Sequence, residues 1–141
     1  MSSFRAAAIQ MRSGVDPQRN ANDLAGYVAD AVGQGAVYVQ TPEMTGALQR
    51  DRKALADVLR AEEDDVIVRT ASELAAEHGI HLHIGSTAIA REDGKIANRA
   101  FLFGPDGKII TRYDKIHMFD VDLDNGESWR ESAVYAPGAD S

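Results

Sequence analysis

Asp16-Pro17 at one end and Gly33 with Gly35 at the other fence off a stretch of helical periodicity between two apolar runs, and this punctuation constrains the fold more than any other feature. Asp16 is placed to cap a helix, and Pro17 stands at the first helical position, where a missing N–H costs nothing. Ala21, Leu24, Ala25, Val28 and Val32 recur at helical spacing, and the glycines end the run. Phe4 to Met11 predicts a buried strand before the helix. The stretch "AVYVQTPE" predicts a second strand from Ala36, stopped by Pro42. Strand, helix and strand in that order are the unit of a layered α/β fold.

The rest of the chain extends the pattern. Acids from Glu62 to Asp65 load the first turn of a second predicted helix, with Val66, Ile67, Thr70, Leu74 and Ala75 on its buried face and Gly79 closing it after His78. A third strand follows in "IHLHIGSTAIA". Then "IANRAFLF" and "KIITRYDKIH" flank "GPDG", a hairpin in which Pro105 presets φ and Gly107 is free to take a positive one. Residues 118–141 show no convincing helix or strand, so the expectation is one α/β domain over 1–141 that stops in a connection.

Composition narrows the function. A net charge of -7 and a pI near 5.0 argue against nucleic acid or an anionic membrane as partner, since either would repel the chain. With no cysteine there is no disulfide, thiolate metal site or thiol nucleophile within these residues. No apolar run approaches the roughly 18 residues of a membrane span, and the N-terminal one is too short for a signal peptide, so the cytoplasm is the expected location.

Three groups of residues bear on chemistry. Glu43 in "QTPEMTG" stands at the carboxyl end of the second strand, where α/β proteins form their crevices. Lys115 ends the hairpin's return strand, an ammonium among bulky apolar neighbours that needs either a partner or a task. If Phe103 pairs with Lys108, Asn98 falls opposite Tyr113 and diagonal to Lys115, so that an acid, an amine and an amide converge. A rival reading is a calcium loop in "DVDLDNGESWRE": Asp120, Asp122, Asp124 and Glu131 take the first, third, fifth and twelfth positions. Asn125 holds the place of the required glycine, with Gly126 one residue late, and flanking helices are not predicted. His81 and His83 share a strand face without a third ligand, and His117 reads as a structural residue. No metal site is expected.

The stretches "AAIQM", "PEMTG", "NRAFLFGPDGKIITRYDKIHMFDVD" and "ESAVYAPG", in this order, resemble the nitrilase-like carbon-nitrogen hydrolases over nearly the whole chain. The resemblance implies part of a four-layer α-β-β-α sandwich with mixed sheets. It implies a glutamate, a lysine and a cysteine as the catalytic set with a second glutamate nearby, carried here by Glu43, Lys115 and Glu131. The cysteine strand would come after the "PG" connection, so the chain resembles an N-terminal portion without its nucleophile. The activity implied by the resemblance is hydrolysis of a small-molecule amide, less so a nitrile, through a thioester and without a cofactor. Glu43 would move protons from a pocket that raises its pKa, and Lys115 would clamp the oxyanion, an interaction worth about 3 kcal/mol. The closing motifs look most like the branches acting on amides of short dicarboxylic acids or on deaminated glutathione. Expected partners are the substrate and either further copies of the chain or a complementary C-terminal fragment. The alternative is a noncatalytic, partner-dependent module.

Overall fold

The computed structural model describes residues 3–49, 51–124 and 126–139. Helix α1, Pro17–Gly33, begins as its sequence dictates: Asp16 Oδ1 accepts the N–H groups of Gln18 at 2.9 Å and Arg19 at 3.3 Å, and Gly35 leaves the helix at φ 85°. A short helix α2, Arg52–Val58, has no counterpart in the sequence expectations; Asp51 caps it through Ala54 N–H. Helix α3, Val66–His78, ends on Gly79 at φ 62°. Its start corrects the sequence reading. Glu62–Asp64 form a separate 3₁₀ turn, and Asp65 alone caps α3 by accepting from Ile67 and Val68. Glu62 turns away to meet Arg99 at 2.8 Å and Arg112, long-range partners that outweigh a helix dipole worth a fraction of a kcal/mol.

The strands are β1 Ala6–Ala8, β2 Tyr38–Gln40, β3 His81–Ala90, β4 Ile96–Phe103 and β5 Ile109–Asp114, in spatial order β1-β2-β3-β4-β5. The first three are parallel and the last two antiparallel, giving the expected mixed sheet. Helices α1 and α3 cover one face. Leu24, Val28, Ile67, Ala71 and Leu74 meet Val39, Leu82, Ile84, Ile89, Phe101 and Phe103 there, and each fully buried Leu, Ile or Phe contributes about 1.5–3 kcal/mol. This is one helical layer on one sheet. Strand β1 is shorter and more exposed than predicted, because it lies at the sheet's edge and only one of its faces meets helices.

The hairpin is present with a corrected register. Gly107 N–H donates to Gly104 O at 2.9 Å with φ 76°, and a bulge near Ile110 comes next. Tyr113 therefore pairs with Ala100, and the Lys115 N–H donates to Asn98 O at 2.9 Å. Beyond the bulge the slip relative to the expected pairing is two residues, so side chains from Thr111 on keep their face, whereas at the turn end Ile109 rather than Lys108 pairs with Phe103. The segment after the hairpin is also more ordered than the sequence implies. Strands β6, Asp120–Asp122, and β7, Ser128–Arg130, form a small antiparallel pair, and Tyr135 then bridges to Ile96. Both strands are three residues long, too short for alternation to register. Among the described residues no helix is long and apolar enough to cross a membrane.

Candidate active site

Glu43 is presented by a loop that the sheet itself clamps. Between Ile84 and Thr87 strand β3 bulges, and there Gly85 approaches the Thr41–Pro42 backbone so closely that a Cβ would stand 2.3 Å from Thr41 O. Ser86 Oγ accepts the Met44 N–H at 2.9 Å, and Thr45 N–H donates to Ser86 O at 2.8 Å. Thr45 Oγ1 donates to Pro42 O at 2.9 Å, closing the turn. From α1, the buried Asn20 donates to Gly46 O at 2.8 Å and to Gly14 O at 3.0 Å. Met44, next to the glutamate, takes φ 57°, a left-handed conformation that a non-glycine residue keeps only when its surroundings dictate it.

Lys115 and Glu131 arrive from the other side. Lys115 stands just beyond β5, and Glu131 opens the 3₁₀ turn Glu131–Ala133 behind β7. The Glu131 N–H donates to Phe119 O, and Glu131 Oε2 accepts the Phe119 N–H at 2.6 Å, so the two segments fix each other. Ala136 N–H donates to Ile96 O at 2.8 Å and Gly138 N–H to Lys115 O at 3.1 Å, carrying the chain back across the hairpin.

The three residues singled out from the sequence converge. Lys115 Nζ stands 3.1 Å from Glu43 Oε1 and 3.0 Å from each oxygen of Glu131. Asn98 Nδ2 donates to the same Glu43 Oε1 at 2.7 Å. A cavity of about 430 Å³ opens over this cluster, walled by Met44, Leu48, Leu55, Phe119, Val134 and Tyr135, with Glu43, Asn98 and Glu131 at its polar end. A second hollow of about 220 Å³ holds Lys115, Tyr113 and Ser86 with Glu43 and Asn98. Tyr135 lies in the "ESAVYAPG" motif but is not among the residues singled out from the sequence, since its place in the cavity wall depends on a bridge to Ile96, a strand residue far earlier in the chain.

The electrostatics correct one expectation. Burial pushes the Glu43 carboxyl up, but hydrogen bonds from Lys115 and Asn98 and the lysine's charge outweigh it, leaving the group below its ordinary value. The side chain is 58% exposed, and with its two donors in place Glu43 is a carboxylate at neutral pH. For Lys115, burial pulls the ammonium down, while the hydrogen bonds it donates to Glu131 and Glu43, and their charges, raise it above its ordinary value. The arrangement is an ammonium fixed between two carboxylates that themselves line the larger cavity, with the ammonium in the smaller hollow beside it. It can polarise a carbonyl oxygen and exchange a proton beside it.

The other candidates do not assemble. Asp120 accepts the Ser132 hydroxyl at 2.6 Å, Asp122 accepts Arg130 at 2.6 Å and Glu131 holds Lys115, so three carboxylates of the calcium reading face three partners. Asn125, its sixth position, lies outside the described residues. His83 shares a hydrogen bond of 2.9 Å with the Tyr38 hydroxyl, and burial lowers its pKa, while His81 and His117 are exposed.

Residues 5–140 match the family described as carbon-nitrogen hydrolase. Omega-amidase NIT2 from Homo sapiens is 31% identical over 140 residues, which are 98% of this chain and 49% of that protein. The Danio rerio omega-amidase NIT2 is 33% identical over 144 residues, with the same shares of 98% and 49%. The chain thus spans about half the length of the curated relatives it matches. Among solved structures, the C. elegans NitFhit protein superposes with a TM-score of 0.84 at 22% identity, over 95% of this chain and 33% of that one. The NitN amidase from Nesterenkonia sp. AN1 gives 0.79 at 24% identity, over 98% and 51%. These likenesses establish the fold.

Proposed function

The chain belongs to the carbon-nitrogen hydrolase family, and on that premise we propose that it forms the acid-amine half of an amide-hydrolysing site. The observation that carries the reading is Lys115 Nζ held at 3.0–3.1 Å between Glu43 and Glu131, two carboxylates that line a cavity. A thiol attacks the amide carbonyl carbon. As the S–C bond forms, Glu43 takes the thiol proton, and Lys115 stabilises the negative oxygen that exists only in the tetrahedral state. Glu43 then passes its proton to the departing nitrogen as the C–N bond breaks, and activates the water that cleaves the thioester. Glu131 keeps the ammonium aimed. These residues contain no cysteine, so the thiol has to come from outside them.

The amide is preferred to the nitrile because the relatives that match include omega-amidases and an amidase by description. The substrate is a small molecule, as the size of the cavity suggests. The enzyme so read works in the cytoplasm, without a cofactor. It associates with further copies or with a complementary segment that brings the thiol.

Ammonia release from a panel of short amides tests the proposal. The 141-residue chain alone releases none, because an acid and an amine without a nucleophile leave only weak residual catalysis. A form that adds the thiol-bearing segment turns over, and Lys115→Met in that form abolishes acylation while preserving the fold. Turnover by the short chain that survives Lys115→Met would show that other residues carry the chemistry.

A further inference from the structure

Asn98 is the least explained polar residue near the cluster. It is 3% exposed and sits in β4, the strand held between β3 and β5, pairing with Ala88 on one side while its carbonyl accepts the Lys115 N–H on the other. Its mounting is rigid. Its Nδ2 makes the shortest contact that Glu43 has, 2.7 Å, yet its Oδ1 is buried without any hydrogen-bond partner. A buried acceptor left unpaired is costly and uncommon.

The two halves of this amide explain each other. Turned over, the amide would set its oxygen against the Glu43 carboxylate, acceptor against acceptor, so the carboxylate dictates the orientation and leaves the other oxygen orphaned. The amide serves Glu43 rather than its own satisfaction.

The carboxylate is also used asymmetrically. Oε1 accepts from both Asn98 Nδ2 and Lys115 Nζ, while Oε2 has no hydrogen-bond partner among the described residues. A proton on Oε1 would face two N–H donors and displace at least one; a proton on Oε2 displaces nothing.

We infer that Asn98 is a positioning residue that pins Glu43 through Oε1 and thereby reserves Oε2 as the oxygen that carries the proton. The inference rests on the reading of Glu43 and Lys115 given above and deepens it. In the reaction, the O–H bond forms on Oε2 as the thiol S–H breaks, and breaks again as the departing nitrogen gains its hydrogen. Asn98 and Lys115 keep their bonds to Oε1 throughout.

The test is a carbon-detected NMR titration of the Glu43 carboxyl in the 141-residue chain, with Glu43→Gln assigning the signal. Asn98→Leu removes the donor, and Glu43 becomes about a threefold to tenfold weaker acid. Asn98→Asp, nearly the same size, weakens it further by placing a like charge against the carboxylate. If Asn98→Leu does not fold, the Asp variant decides alone. Lys115→Met in the same titration checks the underlying reading and also weakens the acid. A Glu43 midpoint unmoved by the Asn98 variants but moved by Lys115→Met overturns the inference and leaves the acid-amine pair standing. A midpoint unmoved by all three removes both.

Discussion

Glu131 meets Lys115 with both carboxylate oxygens at 3.0 Å, while its Oε2 also holds the Phe119 N–H. The side chains are 16% and 30% exposed, so this is a half-buried pair rather than a solvated one. Glu131→Gln removes a charge and half the acceptors. Lys115 then becomes a stronger acid, its pKa falling toward the ordinary lysine value, and the chain loses about 1–3 kcal/mol. Titration of the Lys115 side-chain resonances, with urea unfolding alongside, reads both. An unmoved lysine would mean that Glu43 alone sets its charge.

Gly85 is the second place to intervene. A Cβ there would fall 2.3 Å from Thr41 O and 2.7 Å from Pro42 O, backbone atoms that cannot rotate away. Gly85→Ala therefore pushes the Glu43 loop off β3 and destabilises the chain by about 1–3 kcal/mol. The urea midpoint should fall, with amide shifts concentrated at residues 41–46. A variant of native stability with shifts confined to position 85 would show that the loop yields freely.

The pH dependence of stability has a defined sign. Burial raises the Glu62 carboxyl, but hydrogen bonds and charges from Arg112 and Arg99 outweigh it and hold the group below its ordinary value near 4.5. A depressed folded pKa contributes stability that is present above the unfolded value and lost as pH falls through the folded one. The chain should weaken below about pH 4.5. Glu62→Gln should flatten that acid limb, and equal slopes for the two proteins in urea unfolding on either side of that pH would assign the effect to other carboxylates.

Association is the fourth expectation. The sheet face opposite the helices presents Ala6, Ala8, Gln40, Thr111 and Tyr113 to solvent, with Ala100 and Leu102 half-exposed among them. It is a broad surface of small and weakly polar groups bordered by the β1 and β5 edges. Sedimentation velocity at low micromolar concentration should show concentration-dependent species. A compact monomer that binds little hydrophobic dye would count against it.

Much of this arrangement is legible in the sequence because its signals are local. Asp16-Pro17, Gly79 and Gly107 each act within a few residues, and the helices and hairpin they delimit lie where those residues put them. Glu43, Lys115 and Glu131 each sit in a short motif, and the structure brings them together. The differences come from partners far along the chain. Glu62 reads as a first-turn acid because nothing nearby shows that Arg99 and Arg112, 37 and 50 residues away, will claim it. A pocket implies a raised Glu43 pKa; the loop instead leaves the carboxyl largely exposed, and two donors lower it. Asn98 falls on the expected face with a different neighbour, since a bulge shifts pairing without leaving a mark in the pattern of apolar residues.

The two acids that flank Lys115 differ in how far the chain must travel to deliver them. Glu131 lies 16 residues from the lysine and Glu43 lies 72. Loop-closure entropy grows with the logarithm of that separation, so bringing Glu43 to the ammonium costs about 1.3 kcal/mol more than bringing Glu131, roughly a tenfold difference in how often an unfolded chain makes the encounter. Local search suffices for the near acid. In the folded sheet β2, β3 and β4 lie between the two residues, so the Glu43 contact is expected late in folding and should report that the sheet is complete.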